Sequence, residues 1–379
     1  MAIKSKSIVI LDQASGYLQV DMLEAYQKEY KHQAIVAGTI RERRKKVPES
    51  VVWEKVIKYD QSTAVKRIWT WSLCTLQMLY LVLTKYRKAD LLIITNPPTA
   101  TFIPLFVRNT YDILVYDLYP DALEEYGYVS SKSLIYKIWT RANRKVFANA
   151  RKIITLSEGM KGKVAKYAGN RPVDVVPIWT DNSFLQPIPK AENPFVEQWG
   201  LEDKFVVMYS GNLGKTHPVE VLFYLAEELQ DQKELFFLII GGGHKFKKLQ
   251  ALIEESELKN IRLLEWQPVE SIPYTLNVGN IGVVTLDANA SNLSVPSKTF
   301  DLMSIGVPIL AVASENSELS RLLDEHQAGA CFPQDYLESI KAFILELYQN
   351  ETAYKRLAAN SLKASNEYTA KNAEAFLPS

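Results

Sequence analysis

The strongest constraint on the fold is an alternation of short apolar runs with helix-length patterns along nearly the whole chain. Such alternation is typical of β-α-β units, in which helices join parallel strands. A first set of predicted strands comprises 7–11, 33–37, 91–95, 113–116, 152–156 and 173–177. A second set comprises 205–209, 235–240, 261–264, 281–285, 308–312 and 329–332.

The segment 178–195 separates the two sets, is rich in Pro and Asn, and has no period, so it predicts an inter-domain connection. A chain of 379 residues also fits two domains better than one. We therefore predict an α/β protein with two Rossmann-like, doubly wound parallel sheets. The first domain is expected over 1–182 and the second over 183–360.

The net charge of +1 conceals two unequal halves. Residues 1–185 contain 28 Lys and Arg against 17 Asp and Glu, a charge of +11, whereas the remainder has 16 against 26, a charge of −10. The basic half indicates an anionic membrane or acidic substrate, or else attraction between the halves. Nucleic acid is disfavoured because no zinc-finger, helix-turn-helix or RNP signature occurs.

Two further features bear on the compartment. Only Cys74 and Cys331 occur, which excludes a disulfide framework and a Cys-rich zinc site. The first apolar run predicts a strand and not a signal peptide. The apolar segment 68–84 is flanked by basic residues, but at 17 residues it is at the short limit for a membrane span, so it predicts a buried helix that partly faces lipid.

The first informative motif is a glycine-rich loop directly after the predicted strand 205–209. Gly211 and Gly214 bracket a tight turn, and Lys215 and His217 follow before a helix. Small residues let backbone amides approach an anion, and a helix amino terminus adds positive potential. The loop therefore predicts a phosphate site, with an ordinary strand–helix turn as the alternative.

The second motif opens a helix with Ser297 and Lys298 and continues to Asp301. A lysine in a first helical turn opposes the helix dipole, so it usually has an anionic partner. The spacing fits a lysine on a phosphate and a carboxylate on a ribose hydroxyl. The alternative is an exposed ion pair between residues three apart on one helical face.

Weaker signals follow three other strands. The glycines 241–243 and Gly16 permit close approach to a ligand, and Asp117 and Asp121 come after the strand 113–116. Two carboxylates at a strand's carboxyl end suit sugar hydroxyls or acid–base chemistry, with helix capping as the alternative.

Several familiar motifs are absent from the sequence. There is no D-x-D, which disfavours a transferase that holds its diphosphate through a metal on that motif. Histidines in HExxH spacing are also absent, as are G-x-S-x-G and an early G-x-G-x-x-G. Zinc hydrolases, α/β-hydrolases and dinucleotide oxidoreductases are therefore disfavoured.

In order, the motifs are the Gly16 loop, NPP at 96–98, YDLYPD at 116–121, YSGNLGKTH at 209–217, GGGHK at 241–245, QP at 267–268 and VPSKTFDLMSIGVPIL at 295–310. Together they resemble glycosyltransferase family 4, in its WbuB-like branch. The resemblance implies a GT-B fold whose two domains face a cleft. A last segment, 361–379, would form a helix that crosses back to the first domain.

The resemblance also implies an activity. Family members are retaining, metal-independent hexosyl- or N-acetylhexosaminyltransferases without a cofactor. They use a nucleotide-diphosphate sugar as donor, with UDP favoured here over GDP, and many act on lipid-linked or cell-envelope glycans. We accordingly expect a cytoplasmic protein at the inner face of the membrane, which 41–46 and 68–84 would contact.

Carried over to this sequence, the family's diphosphate-gripping residues are Lys215 and Lys298. Asp301 replaces the glutamate that binds the ribose, and Leu293 replaces a second glutamate that touches the donor sugar. Asp117 would position the acceptor or act as a base, and His217 would bond the diphosphate or sugar. The remaining predicted donor contacts are Gly16, Gly211, Asn212, Gly214, Gly242, Gln267 and Ser297.

Because Leu293 breaks the family pattern, two alternatives stay open. One is a non-catalytic GT-B subunit that scaffolds a partner transferase. The other is a sugar-nucleotide epimerase of the same fold.

Overall fold

The structure is a computed structural model that describes residues 6–125, 127–286 and 295–378. The chain divides into two compact units: Met1–Pro177 with Ala370–Ser379, and Ile178–Thr369. The division falls five residues before the expected boundary at 182/183. The reason is that the connection 178–195 packs within the second unit, where Trp179 and Leu185 are fully buried.

The first unit is built on a seven-stranded parallel sheet of order β5-β3-β1-β6-β7-β8-β9, with β2 and β4 paired separately. The edge strand β5 escaped prediction because the charged pair Glu54 and Lys55 interrupts its apolar pattern. The strands are β1 (Ser7–Leu11), β2 (Ala14–Gly16), β3 (His32–Ala37), β4 (Thr39–Arg41), β5 (Val51–Lys55), β6 (Asp90–Ile94), β7 (Tyr111–Val115), β8 (Lys152–Thr155) and β9 (Val173–Val175).

The helices of this unit begin where side-chain oxygens accept from backbone amides: Thr63, Ser133 and Ser157 cap α2, α4 and α5. Two 3₁₀ segments, Pro98–Leu105 and Ala370–Phe376, also belong here. The helices are α1 (Tyr17–Tyr26), α2 (Ala64–Thr84), α3 (Asp121–Glu125), α4 (Leu134–Asn149) and α5 (Glu158–Ala168).

Helix α2 contains the apolar segment 68–84. One face is buried at every fourth residue: Thr70, Cys74, Met78 and Val82. The opposite face carries exposed apolar side chains along its whole length. Among the residues that the structure describes, no helix has both the length and the apolar character needed to cross a bilayer.

The second unit is built on a six-stranded parallel sheet of order β12-β11-β10-β13-β14-β15. Its strands are β10 (Phe205–Asn212), β11 (Leu235–Gly242), β12 (Ile261–Leu264), β13 (Ile281–Thr285), β14 (Ile309–Val312) and β15 (Gly329–Phe332). Its helices are α6 (Pro194–Gln198), α7 (Val221–Glu228), α8 (Phe246–Ser256), α9 (Ile272–Leu276), α10 (Ser297–Ser304), α11 (Glu318–His326), α12 (Leu337–Gln349) and α13 (Glu351–Ala364).

Both sheets are parallel and have the Rossmann strand order. The order of the strands reverses between β1 and β6 in the first sheet and between β10 and β13 in the second. The predicted pair of doubly wound parallel sheets is therefore confirmed. In sheets of this order ligands bind outside the carboxyl ends of the strands, at the reversal point. The reversal between β10 and β13 is where the two strongest sequence motifs fall.

Candidate functional site

The reversal point of the second sheet is lined by the loop after β10 and by the end of β13. His217 Nδ1 lies 2.8 Å from the carbonyl oxygen of Thr285, the last residue of β13. Because this carbonyl accepts, the proton is on Nδ1 in the neutral ring. The contact ties the glycine-rich loop to the neighbouring strand.

Lys298 is the central group of this site. Helix α10 starts at Ser297 and places the Lys298 Nζ 3.8 Å from the centroid of the Tyr209 ring. The Nζ is buried and has no hydrogen-bond partner among the described residues. Burial lowers the pKa of Lys298 to about 7, although the nearby Asp301 carboxylate acts in the opposite sense. An unsatisfied buried ammonium is costly, so this arrangement needs an anionic ligand to compensate it.

Gly211 makes the space for that ammonium. Its φ is +152°, and a Cβ at this position would stand only 2.5 Å from the Lys298 Nζ. An alanine would therefore both strain the backbone and displace the lysine. The sequence analysis selected Gly211 and Lys298 separately, and the structure brings them together.

The rest of the glycine-rich loop is held by polar contacts. The Tyr209 hydroxyl donates to the Asn212 carbonyl oxygen at 2.7 Å. A Cβ on Gly214 would stand 2.9 Å from Asn212 Nδ2 and 3.5 Å from His217 Cδ2, so these predicted residues are neighbours. Lys215 is exposed, and its ammonium has no protein partner within the described ranges.

A buried ion pair fixes this loop from behind. Lys245 Nζ donates to the His217 carbonyl oxygen and to Glu220 Oε2, both at 2.8 Å. Local sequence patterns predict neither this pair nor the Tyr209 ring under Lys298. Each contact joins residues that are 25 or more positions apart.

The predicted ribose-binding residue Asp301 lies on the second turn of α10 and is almost buried. Its Oδ1 accepts a hydrogen bond from Thr180 Oγ1 at 2.5 Å. Ser297, at the start of the helix, is exposed. Leu293 lies outside the described residues.

Two of the predicted donor contacts, Gly242 and Gln267, lie at or just after the ends of the next two strands of the sheet. Gly242 ends β11 and pairs with Asn212 of β10. Gln267 follows β12, and its Nε2 donates to the Glu265 carbonyl oxygen at 2.9 Å.

Gly16 and Asp117 belong to the first unit, where a short chain of hydrogen bonds links them. The Gly16 amide donates to Gln19 Oε1 at 2.8 Å, and Gln19 Nε2 donates to the Tyr116 hydroxyl at 2.7 Å, next to Asp117. The Asp117 side chain reaches solvent, yet surrounding protein partly desolvates its carboxyl and raises its pKa.

Asp121, the other carboxylate of that motif, is engaged within the protein. Its carboxylate accepts from Lys166 Nζ at 2.5 Å and from the Tyr167 hydroxyl. It stands at the first residue of α3, where the helix dipole favours a carboxylate. Asp117 therefore remains the candidate for chemistry at this edge.

The second unit matches a known family. Residues 192–364 match the model of the glycosyl transferases group 1 family, and this stretch contains the Lys298 site. The match covers just under half of the chain, and the Lys298 site lies within the matched stretch, at the reversal point of the second sheet.

Two curated relatives match a larger part of the chain. The probable glycosyltransferase WbjE of Pseudomonas aeruginosa is 26% identical over 226 residues, which cover 59% of this chain and 56% of WbjE. The putative colanic acid biosynthesis glycosyl transferase WcaI of Escherichia coli K12 is 25% identical over 239 residues, 61% of this chain and 58% of WcaI. The chain thus spans a little over half the length of these relatives.

Solved structures extend the likeness of the fold to almost the entire chain. A sucrose-phosphate synthase from Thermosynechococcus elongatus superposes with a TM-score of 0.74 at 12% identity, covering 98% of this chain and 96% of that one. The Anabaena protein HepE, in complex with UDP-glucose, gives 0.71 at 12% identity, with 97% of both chains covered. The fold of the chain is accordingly GT-B.

Proposed function

We propose that this protein is a retaining glycosyltransferase that transfers a hexosyl or N-acetylhexosaminyl group from a nucleotide-diphosphate sugar without a metal ion. The observation that carries the proposal is the buried Lys298 ammonium, which has no hydrogen-bond partner in the described part of the chain and lies at the reversal point of the sheet. A diphosphate supplies the negative charge that such a group requires. The UDP-glucose complex of HepE, which has the same fold, favours UDP over GDP as the donor nucleotide.

The chemistry follows from where charge develops. When the bond between sugar and diphosphate breaks, negative charge accumulates on the leaving phosphate oxygens. Lys298 would stabilise that charge from a buried position, where electrostatic interactions are strong. The exposed Lys215 would add a second cation, and the backbone at Gly211, Asn212 and Gly214 would provide close approach.

The other predicted residues have subsidiary roles in this proposal. His217 would bond the diphosphate or the sugar, while its Nδ1–H continues to donate to the Thr285 carbonyl oxygen. Ser297 and the backbone of Gly16 would contribute phosphate contacts, and Asp301 would contact the ribose. In the first unit Asp117 would position the acceptor hydroxyl or accept its proton, and burial raises the pKa of its carboxyl, which makes it a stronger base. In the absence of a protein nucleophile, the leaving phosphate can also accept that proton.

Nucleotide binding is tested by thermal shift with UDP, GDP, ADP and dTDP in the presence of EDTA. We expect UDP to raise the melting temperature of the wild type but not that of Lys298→Ala, since a ligand stabilises only a protein that binds it. Lys248→Ala is the matched control, because Lys248 is an exposed lysine on α8 of the same unit. No shift with any nucleotide would favour a scaffold subunit.

Turnover then separates a transferase from an epimerase. A transferase releases nucleoside diphosphate from the donor sugar only when the lipid-linked or glycan acceptor is added. An epimerase changes the donor without any acceptor, and a scaffold leaves it intact.

We further propose that the acceptor is reached at an anionic membrane, on the inner face of the cell membrane, through helices α2 and α4 of the first unit. Both helices pack on the 3₁₀ segment Pro98–Leu105. Their exposed apolar side chains are Val65, Ile68, Trp69, Leu76, Tyr80 and Leu83 on α2 and Leu134, Ile135 and Ile138 on α4. Exposed apolar rows of this extent are typical of interaction surfaces.

The charge for such a contact comes from α4 in this proposal, and not from 41–46. In that basic stretch Lys45 pairs with Asp21 and Glu24, and Lys46 pairs with Glu42. On α4, by contrast, Lys137, Arg141 and Arg144 have no ion-pair partner in the described part of the chain. Cations next to exposed apolar side chains suit the interface of an anionic bilayer.

Vesicle flotation tests this surface. We expect the protein to float with phosphatidylcholine vesicles containing phosphatidylglycerol but not with phosphatidylcholine alone, and Arg141→Gln with Arg144→Gln to reduce flotation several-fold. Lys247→Gln with Lys248→Gln, a matched exposed pair on α8, should float like the wild type. Equal flotation with both vesicle types would contradict the proposal.

A further inference from the structure

An exposed tryptophan stands at the carboxyl edge of the second sheet, beside the Lys298 site. Trp266 follows β12 by two residues, and 60% of its surface is exposed. Within the described residues its indole has no hydrogen bond and no aromatic or cationic neighbour. Single exposed aromatic rings are common on protein surfaces, but this ring stands at the carboxyl edge of the sheet, where ligands bind in folds of this strand order.

The indole lies directly over a glycine. A Cβ on Gly242 would stand 2.7 Å from Trp266 Nε1 and 2.9 Å from Cδ1, so any larger residue would push the ring away. One edge of the indole is thus supported by bare backbone at the end of β11, while most of the ring remains open to solvent. The Gly242 carbonyl oxygen also accepts from the Leu213 amide at 2.9 Å, which links this position to the glycine-rich loop.

The sheet sets the separation between the indole and the lysine. Lys298 Nζ touches Gly211 on β10, the indole covers Gly242 on β11, and Trp266 itself follows β12. These three strands are adjacent and parallel. Neighbouring strands are about 4.8 Å apart, so one to two spacings, about 5–10 Å, separate the two groups along the carboxyl edge. A ribose with its first phosphate bridges a gap of this size.

We propose that the Trp266 indole is the platform on which the nucleobase of the donor stacks, while Lys298 binds the diphosphate. The inference deepens the proposed function and rests on it. A ring face recognises any base, because every base has a π-face. Trp266 therefore adds affinity for nucleoside diphosphates in general, and selection of one base is left to hydrogen bonds.

Calorimetry with UDP and with inorganic pyrophosphate tests this assignment. In Trp266→Ala we expect the UDP affinity to fall about tenfold or more, as is typical when a stacking residue is removed, and the pyrophosphate affinity to stay unchanged. Trp266→Tyr should restore most of the UDP affinity. Lys298→Ala should lose both ligands, and Trp53→Ala, which removes an exposed tryptophan on edge strand β5 of the first unit, should lose neither.

Fluorescence supplies an independent readout. Stacking should quench the emission of Trp266, so the UDP-dependent quench seen in the wild type should disappear in Trp266→Phe although calorimetry still detects binding. Unchanged UDP affinity in Trp266→Ala, or an equal loss of UDP and pyrophosphate with an unaltered melting temperature, would overturn the assignment. If the wild type binds neither ligand, the proposed function fails, and the platform fails with it.

Discussion

Each unit of the protein has a cationic side chain at one edge of its sheet, and the two cations differ in their hydrogen-bond partners. In the first unit Arg151 lies at the amino ends of the strands, bonded to Asp112 at 2.9 and 2.6 Å and to Asp90 at 2.9 Å. In the second unit Lys298 lies at the carboxyl ends with its Nζ buried and unbonded. The first cation is matched by carboxylates, whereas the second is left for a ligand.

The pKa of each group reflects this difference. The carboxylates around Arg151 raise the pKa of its guanidinium further above its usual range. Burial of Lys298 lowers its pKa to about 7. Removing one partner of a buried ion pair is strongly destabilising, whereas a buried charge without a partner itself weakens the fold and is retained where binding requires it.

The net charge of each unit is opposite in sign to the ionisable side chain at the reversal point of its sheet. The first unit has 29 Lys and Arg against 17 Asp and Glu, a charge of +12, but Asp12 and Gln13 fill the reversal point of its sheet. Gln13 Nε2 donates there to the carbonyl oxygens of Ile57 and Thr70. The second unit has 15 against 26, a charge of −11, yet its reversal point holds Lys298. Net charge therefore does not predict the position of the proposed phosphate site, which the glycine-rich loop after β10 indicates instead.

The largest expected effect concerns the paired cation. Arg151→Met leaves the Asp112 and Asp90 carboxylates without their partner, which should lower the free energy of unfolding by about 3–5 kcal/mol. Urea unfolding measures this change. As a control, the UDP affinity of the folded variant should equal that of the wild type. If Arg151→Met is as stable as the wild type, the proposed difference between the paired and the unpaired cation is contradicted.

Removing the unpaired cation should have the opposite effect on stability. Lys298→Met should raise the unfolding free energy of the unliganded protein by about 1–3 kcal/mol, because a buried charge is replaced by an apolar chain of similar length. The UDP affinity should fall about 100-fold, or ~2.7 kcal/mol. Thermal melts and calorimetry measure the two quantities, and Lys248→Met should change neither. A variant that is both less stable and equally able to bind UDP would contradict the role assigned to Lys298.

The lowered pKa also predicts a pH dependence of binding. Above pH 7 the free Lys298 is mostly neutral, and a bound diphosphate restores its proton, so UDP affinity should fall about tenfold per pH unit from about pH 7.5 upward. Calorimetry in two buffers of different ionisation enthalpy should show close to one proton taken up at pH 8.5. Lys298→Met should take up none.

The same pKa has a consequence for stability. Between pH 7 and the usual lysine value of 10.5, the unfolded chain binds the Lys298 proton and the folded protein does not. The stability of the unliganded protein therefore gains a contribution that rises with pH across this window. The difference between wild type and Lys298→Met should accordingly shrink from pH 7 to pH 10.

The smallest effects compare two glycines. Gly162 lies inside α5 with open space around its Cβ position, so Gly162→Ala should raise the unfolding free energy by about 0.5–1 kcal/mol. Gly211→Ala should lower it and weaken UDP binding, because the new methyl occupies the place of the Lys298 ammonium. If Gly211→Ala binds UDP with the affinity of the wild type, the Lys298 ammonium can move without loss of UDP affinity.

Much of the fold could be predicted because its signals are local. Strands β1, β12, β13 and β15 begin and end at the predicted residues, since each is a continuous apolar run bounded by polar residues or turns. The glycines of the loop after β10 and the Ser297–Lys298 helix start were also visible in short segments. Strand β5 was missed because an edge strand that is half exposed lacks a clear apolar pattern.

Local sequence patterns could not predict the contacts that define the site. The sequence indicated that Lys298 needs an anionic partner, and by itself it determined two parallel-sheet units, the position of each loop at a carboxyl edge, and the residue types available there. Only the tertiary structure decided that Tyr209 and Gly211 enclose Lys298, that Lys245 pairs with Glu220, and that the Trp266 ring rests on Gly242. The physical reason is that burial and pairing depend on atoms contributed by distant segments, and it is burial without a partner that distinguishes Lys298 from the other lysines of its unit.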